Sequence, residues 1–150
     1  MLKDLQLVFP DLMSGLKDHP IWIIPTFQKS HYDLVAVTPQ TSWERNLCAQ
    51  TFAGFCDRFR TQCLSEGLWA DWTDPADGFP VHSARGNCIY PDVDGSVSLL
   101  KYGTVQVGCC RVLVHPNYGT RNYPATLFVK GPLETVKRIL LSQGNVVVSP

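Results

Sequence analysis

Residues 41–73 read TSWERNLCAQTFAGFCDRFRTQCLSEGLWADWT, and the architecture follows from how this stretch is read. Thr41-Ser42-Trp43-Glu44 has the form of a capping box, in which the threonine hydroxyl accepts from the backbone N–H at Glu44 while the carboxylate reaches back. Leu47, Cys48, Phe52, Phe55, Cys56, Phe59 and Cys63 then recur at helical spacing, with Arg45, Gln50, Asp57, Arg58 and Gln62 between them. Gly67 supplies a left-handed stop. The chain next changes period, and Leu68 to Thr73 reads as a strand leaving the helix directly. Alternation puts Trp69 and Trp72 on opposite faces of that strand, one in the core and the other toward a partner or a neighbouring layer.

Upstream, Leu5, Val8, Phe9 and Leu12 space a short helix over Lys3 to Met13, with Gly15 as its stop. Ile21 to Gln28 and Leu34 to Thr38, separated by the polar Lys29 to Tyr32, read as a β-hairpin. Pro25 places the first of these strands at an edge or at a bulge. Downstream, Asp74-Pro75-Ala76-Asp77-Gly78 is a turn, and Phe79 to Ser98 is an irregular excursion of the kind that is usually mobile or functional. Val105 to Val114 and Thr126 to Lys130 read as strands. Leu133 to Leu141 is a last helix opened by Pro132, with Glu134 near its positive end, Lys137 and Arg138 later, and Gly144 beyond. Helix, two strands, helix, several strands, helix is the order of a single-domain α+β layer fold around one mixed sheet.

Composition narrows the function. The 150 residues carry 13 basic and 13 acidic side chains, a net charge of zero, and only 17% charged residues. That lacks the clustered Lys and Arg with which nucleic-acid binders release counterions. The longest apolar runs, Ile21 to Ile24 and Leu34 to Val37, fall far short of the ~20 residues a spanning helix needs. Neither nucleic acid nor membrane is expected as a partner. Met1 to Phe9 holds Lys3 and Asp4 and has neither an apolar signal block nor an Arg-rich presequence, so a cytoplasmic location is expected. A 45% hydrophobic chain of this length can build a core without disulfide staples. The six cysteines, irregularly spaced and without a CxxC pair, read as reduced thiols rather than a disulfide framework.

Cys48, Cys56 and Cys63 lie on the apolar face of the long helix and read as small buried hydrophobes. Gly108-Cys109-Cys110-Arg111 is the segment with most chemical content. Read as part of one strand, it places Cys109 and Arg111 on one face and Cys110 on the other, and a nearby guanidinium favours a thiolate. A thiolate is a soft ligand for a polarizable late transition metal. Periodicity does not settle which sulfur faces a ligand, and two packed core cysteines is the plainer reading. His82, Cys88, Cys109 and His115 can be drawn as a zinc site, but their spacing fits no common zinc pattern. Asp71, Asp74, Asp77, Asp92 and Asp94 read as turn residues, because the twelve-residue calcium loop with its terminal Glu is missing. No phosphate loop or nucleophile elbow is present, and no nucleophile, base and orienting group assemble into catalytic residues.

Gly67-Leu68-Trp69-Ala70-Asp71-Trp72-Thr73-Asp74-Pro75, Val107-Gly108-Cys109-Cys110-Arg111-Val112 and His115-Pro116-Asn117-Tyr118-Gly119-Thr120, together with residues 8–15 and 25–30, resemble the C-terminal domain of the CblD family of cobalamin trafficking proteins. The resemblance runs from about Leu7 to Leu141. It implies a fold like that of flavin-dependent nitroreductases, with a mixed, mainly antiparallel sheet flanked by helices. It implies a non-enzymatic adaptor that has lost flavin and nicotinamide binding and holds no cofactor alone. Such a domain docks with CblC, the protein that strips the upper axial ligand from cobalamin, and offers the first cysteine of Gly-Cys-Cys to the cobalt. By residue that cobalt ligand is Cys109, with Cys110 as its core-facing neighbour. The cofactor is then directed to methionine synthase or methylmalonyl-CoA mutase. Phe79 to Ser98 does not track the family, and the leader that sends animal members to mitochondria is not seen in this sequence. The alternatives are a flavin-dependent reductase or thiol oxidoreductase on the same scaffold, and a self-associating module such as a homodimer.

Overall fold

In the computed structural model, which describes residues 2–12 and 19–144, the chain order is α1 (Leu2–Val8), β1 (Ile21–Lys29), α2 (Pro39–Ser65), β2 (Trp69–Trp72), α3 (Asp92–Leu100), β3 (Gly103–Val107), β4 (Cys110–Val114), β5 (Asn122–Lys130) and α4 (Leu133–Ser142). The architecture is α+β, with antiparallel strands flanked by helices. Met13 and Gly15, expected to end the first helix, lie outside the described residues.

The long helix begins three residues before the expected box. Thr38 is extended and its hydroxyl accepts from the Thr41 backbone N–H at 3.1 Å, while the Thr41 hydroxyl accepts from the Thr38 N–H at 2.9 Å. Pro39, whose missing N–H costs nothing in the first turn, fills the position between them. Glu44 therefore does not cap. Its buried carboxylate turns back onto the preceding loop and accepts from the backbone N–H groups of His31 and Tyr32, the latter at 2.9 Å. At the other end Gly67, at φ +78°, donates to the Leu64 carbonyl and Leu68 to that of Cys63, a Schellman closure.

Other side chains of α2 explain why the expected hairpin does not form. Leu34 to Thr38 is rich in strand formers, yet its carbonyls are taken by α2 side chains: the Thr41 hydroxyl donates to Ala36 at 2.7 Å, and the Arg45 guanidinium to Leu34 and Ala36. With side chains satisfying its backbone, the segment turns instead of pairing. The true partner of β1 is β5, in unbroken antiparallel register from Ile21↔Lys130 to Lys29↔Asn122. β1 is an edge strand, as Pro25 required, and carries no bulge.

β5 is the centre of a three-stranded sheet, β1-β5-β2, and its residues 125–130 are buried on both faces. Ala125, Leu127 and Val129 face α2 and α4, joining Phe52, Cys56, Phe59, Cys63, Val136 and Ile139. Phe128 faces the other way and packs with Leu5, Val8, Phe9 and Leu12. β2 divides likewise: Ala70 and Trp72 lie in the first cluster, and Trp69 packs against the second. Cys48, Cys56 and Cys63 are buried, and burial pushes their thiols up, Cys63 to about 12, so they serve as packing groups.

Two expectations need correction. The one mixed sheet is two antiparallel sheets among the described residues, because β3 and β4 pair only with each other. The excursion from Phe79 is irregular only as far as Pro91, where α3 begins. Gly95 and the valines weakened the helical signal of Val93, Val97 and Leu100 at spacings of four and three. The irregular part is tied down, with Gly86 and Cys88 donating to the carbonyls of Val8 and Leu7.

Candidate functional site

Gly108 and Cys109 form the two-residue loop of a hairpin whose last pair is Val107↔Cys110. Gly108 has φ +57° and Cys109 lies outside the left-handed region, which gives the glycine-first II′ turn that matches the twist of flanking strands. The Gln106 side chain donates to the Gly108 carbonyl at 2.9 Å and steadies the loop. The single strand expected over Val105 to Val114 is thus two strands, and Cys109 sits on the turn rather than on a strand face. Cys110 is not core-facing: both cysteines are exposed, with their sulfurs 3.9 Å apart. The contact with Cys109 and its charge push the Cys110 thiol up from its ordinary value.

Arg111, expected beside Cys109 on one strand face, follows the turn instead. It shares a strand face with the buried Leu113, and its guanidinium donates to Asp94 of α3 at 2.7 Å and to Thr104 at 3.5 Å. This exposed pair ties the hairpin to α3 and is worth at most ~1 kcal/mol. The firmer anchor is at the base, where Asn122 Nδ2 donates to the carbonyls of Leu113 at 3.1 Å and Gly119 at 2.7 Å. Its Oδ1 is buried without a hydrogen-bond partner among the described residues.

A cleft of about 450 Å³ lies between β4, the start of α3, the turn at 75–78 and the start of β5. Asp92 enters it from the first turn of α3 and accepts from the Thr126 hydroxyl at 2.6 Å. Burial pushes the Asp92 carboxyl up to about 7; the Thr126 bond opposes this and the Asp74 charge adds to it. A carboxyl raised on folding favours the folded chain most below pH ~4 and loses that contribution as pH rises through 7. Asp92→Asn, which keeps the acceptor for Thr126, should therefore match the parent in stability near pH 4 and exceed it by on the order of 2 kcal/mol at pH 8. Urea titrations at the two pH values check this, and an equal difference at both contradicts it.

The other expected groups are dispersed. Asp71 is fully buried and holds backbone, accepting from the N–H groups of Trp72 (2.8 Å), Ser83 (2.7 Å) and His82 (3.2 Å). His115 is buried among Phe27, Tyr102 and Tyr118, and its Nδ1 accepts from the backbone of Asn117 and Tyr118. His82 stands edge-on to Trp72, and Cys88 is exposed beside α1. Neither the zinc quartet nor the aspartates converge: among the described residues no three His, Cys, Asp or Glu are grouped to hold a metal. Nor is any described helix long and apolar enough to cross a membrane.

The family model described as methylmalonic aciduria and homocystinuria type D protein matches residues 1–140 of the chain. The chain belongs to this family. Among curated members of the type D family it is similar to the cobalamin trafficking protein CblD of Homo sapiens, at 25% identity over 126 residues, which is 84% of this chain and 41% of that protein. The Gallus gallus protein of the same name is 23% identical over the same shares. That of Rattus norvegicus is 22% identical over 133 residues, covering 89% of this chain and 44% of the relative. The chain therefore spans less than half the length of these type D relatives. The Gly-Cys-Cys hairpin and the Asp71 loop both fall inside the matched region.

Proposed function

We propose that the chain is a cobalamin trafficking adaptor which docks with a CblC-type processing protein and presents Cys109 to the cobalt of the cobalamin that partner carries. The observation that carries the reading is the placement of Cys109, exposed at the tip of a two-residue hairpin loop, in a chain of the type D family. A thiolate held there is soft enough to bind a corrinoid cobalt axially. The chain's part is binding and orientation, with no bond made or broken in a substrate of its own, and it holds no cofactor outside the complex. The likeness to nitroreductases, a cytoplasmic location and delivery to methionine synthase or methylmalonyl-CoA mutase belong to the same proposal.

Mixing the reduced chain with CblC loaded with cobalamin should shift the visible corrin bands. Cys109→Ser should abolish the shift by at least tenfold in amplitude, and Cys110→Ser should keep it. An unchanged spectrum, or an equal change with Cys109→Ser, sinks the reading. So does a purified chain that is yellow or that oxidises a nicotinamide cofactor, which marks the reductase instead.

A further inference from the structure

We propose that Cys109 and Cys110 form a reversible vicinal disulfide, so that the hairpin tip is an oxidation site which withdraws the thiolate from use. The inference rests on the preceding reading only for its consequence, since the disulfide itself is a property of this chain alone.

Three observations carry it. The sulfurs are 3.9 Å apart, so closure to the ~2.05 Å of a disulfide needs a movement of about 2 Å. Both side chains are exposed, so an oxidant in solution reaches them. Lastly, Cys109 lies in the loop and Cys110 at its last strand pair, so closing the bridge disturbs one pair, Val107↔Cys110, and leaves the rest of the ladder in place. The buried Cys48, Cys56 and Cys63 share none of these features.

The chemistry balances with a hydroperoxide as oxidant. The Cys109 thiolate attacks one peroxide oxygen; an S–O bond forms, the O–O bond breaks, and the leaving hydroxide combines with the proton that the Cys109 thiol gave up on ionising, leaving as water. The Cys110 sulfur then displaces the sulfenic hydroxyl, forming the S–S bond and breaking S–O, while the thiol proton and that hydroxide leave as water. Two thiols and one hydroperoxide give one disulfide with loss of two electrons from sulfur. Adjacent Cα atoms are ~3.8 Å apart, below the ~4.4–6.8 Å usual for bridged cysteines, so the bond is strained and readily reduced. A dithiol returns both cysteines to the reduced form by exchange, with its own sulfurs becoming the disulfide. Whichever sulfur is oxidised first, its neighbour closes the bridge and protects it from irreversible oxidation.

The test uses the full chain carrying Cys88→Ser, which removes the other exposed thiol, treated with one equivalent of hydrogen peroxide. We expect the chain to form no covalent bridge to a second chain, to lose two alkylatable thiols and the mass of two hydrogens, and to yield a peptide bridged between residues 109 and 110. Dithiothreitol should restore both thiols. Cys110→Ser should instead gain oxygen at Cys109. Oxygen addition at Cys109 in the presence of Cys110, or a bridge between two chains, overturns the inference. Adding cobalamin-loaded CblC separates the two proposals. A reduced chain that gives no spectral change sinks the adaptor reading while the bridged peptide stands. A reduced chain that gives the change but never forms the bridged peptide sinks the disulfide alone. With both correct, peroxide abolishes the spectral change and dithiothreitol restores it.

Discussion

Asp71→Ala lowers the stability of the folded chain by about 3–5 kcal/mol. The Asp71 carboxylate has no exposed surface and accepts from three backbone N–H groups, one at its own strand end and two in the loop at His82 and Ser83. Bonds to a charged acceptor are worth about 1.5–3 kcal/mol each, and donors left unpaired in a buried place cost about 1–3. Alanine removes all the acceptors at once and shortens the side chain away from the loop. Asp71→Asn keeps one oxygen and should lose roughly half as much. Urea unfolding reads the difference, and amide exchange at His82 and Ser83 should quicken in both variants. A loss below about 1 kcal/mol in the alanine variant would mean that water reaches those donors.

Phe128→Ala is the second large effect, also about 3–5 kcal/mol, or roughly 10 °C in melting temperature for a chain of this size. Phe128 is fully buried on the central strand and meets Phe9 and Tyr90 edge-on, with ring centroids 4.9 Å away in each case. It is the β5 side chain in the apolar cluster that α1 and the segment before α3 share with the sheet. Its removal empties the middle of that small cluster, which has little else to collapse into the space. Phe128→Leu should cost about 1.5 kcal/mol or less, because most of the volume remains. If both variants melted alike, the cluster would be responding to the aromatic edges rather than to the cavity.

The long helix and the strand after it were legible because each is periodic and bounded by a residue with a mechanism, Gly67 for the stop and the switch of period at Leu68. The N-terminal cap was misplaced by three residues because Thr-x-x-Thr and Thr-x-x-Glu overlap between Thr38 and Glu44, and local pattern cannot say which reciprocal pair wins. The expected hairpin at Leu34 to Thr38 failed for a reason no short window contains: Thr41 and Arg45 of α2 satisfy its carbonyls, while Glu44 holds the N–H groups of the preceding His31 and Tyr32. The Gly-Cys turn was different, since a signal was present. Thr104 to Val107 and Cys110 to Val114 flank a glycine-first pair, the pattern of a II′ hairpin, but ten residues rich in valine also read as one uninterrupted strand. At the site, Cys109 was legible as a candidate, whereas its exposure and its 3.9 Å neighbour came only with the turn. Asp92 and the cleft were not legible, because they depend on how α3 meets the start of β5.

Among the described residues the β3–β4 ribbon has no third strand, and an isolated pair of strands is marginally stable in water. It behaves as a lever whose fulcrum is the Asn122 clamp beneath Leu113, four residues from the thiol it carries. A small angular error at the fulcrum becomes a large displacement at the tip, so the precision with which sulfur is offered to a neighbour is set at Leu113 and Asn122. Substitutions near Gln106 and Val107 change what the tip touches. Those at the fulcrum change where the tip is, and the second kind should be the less forgiving.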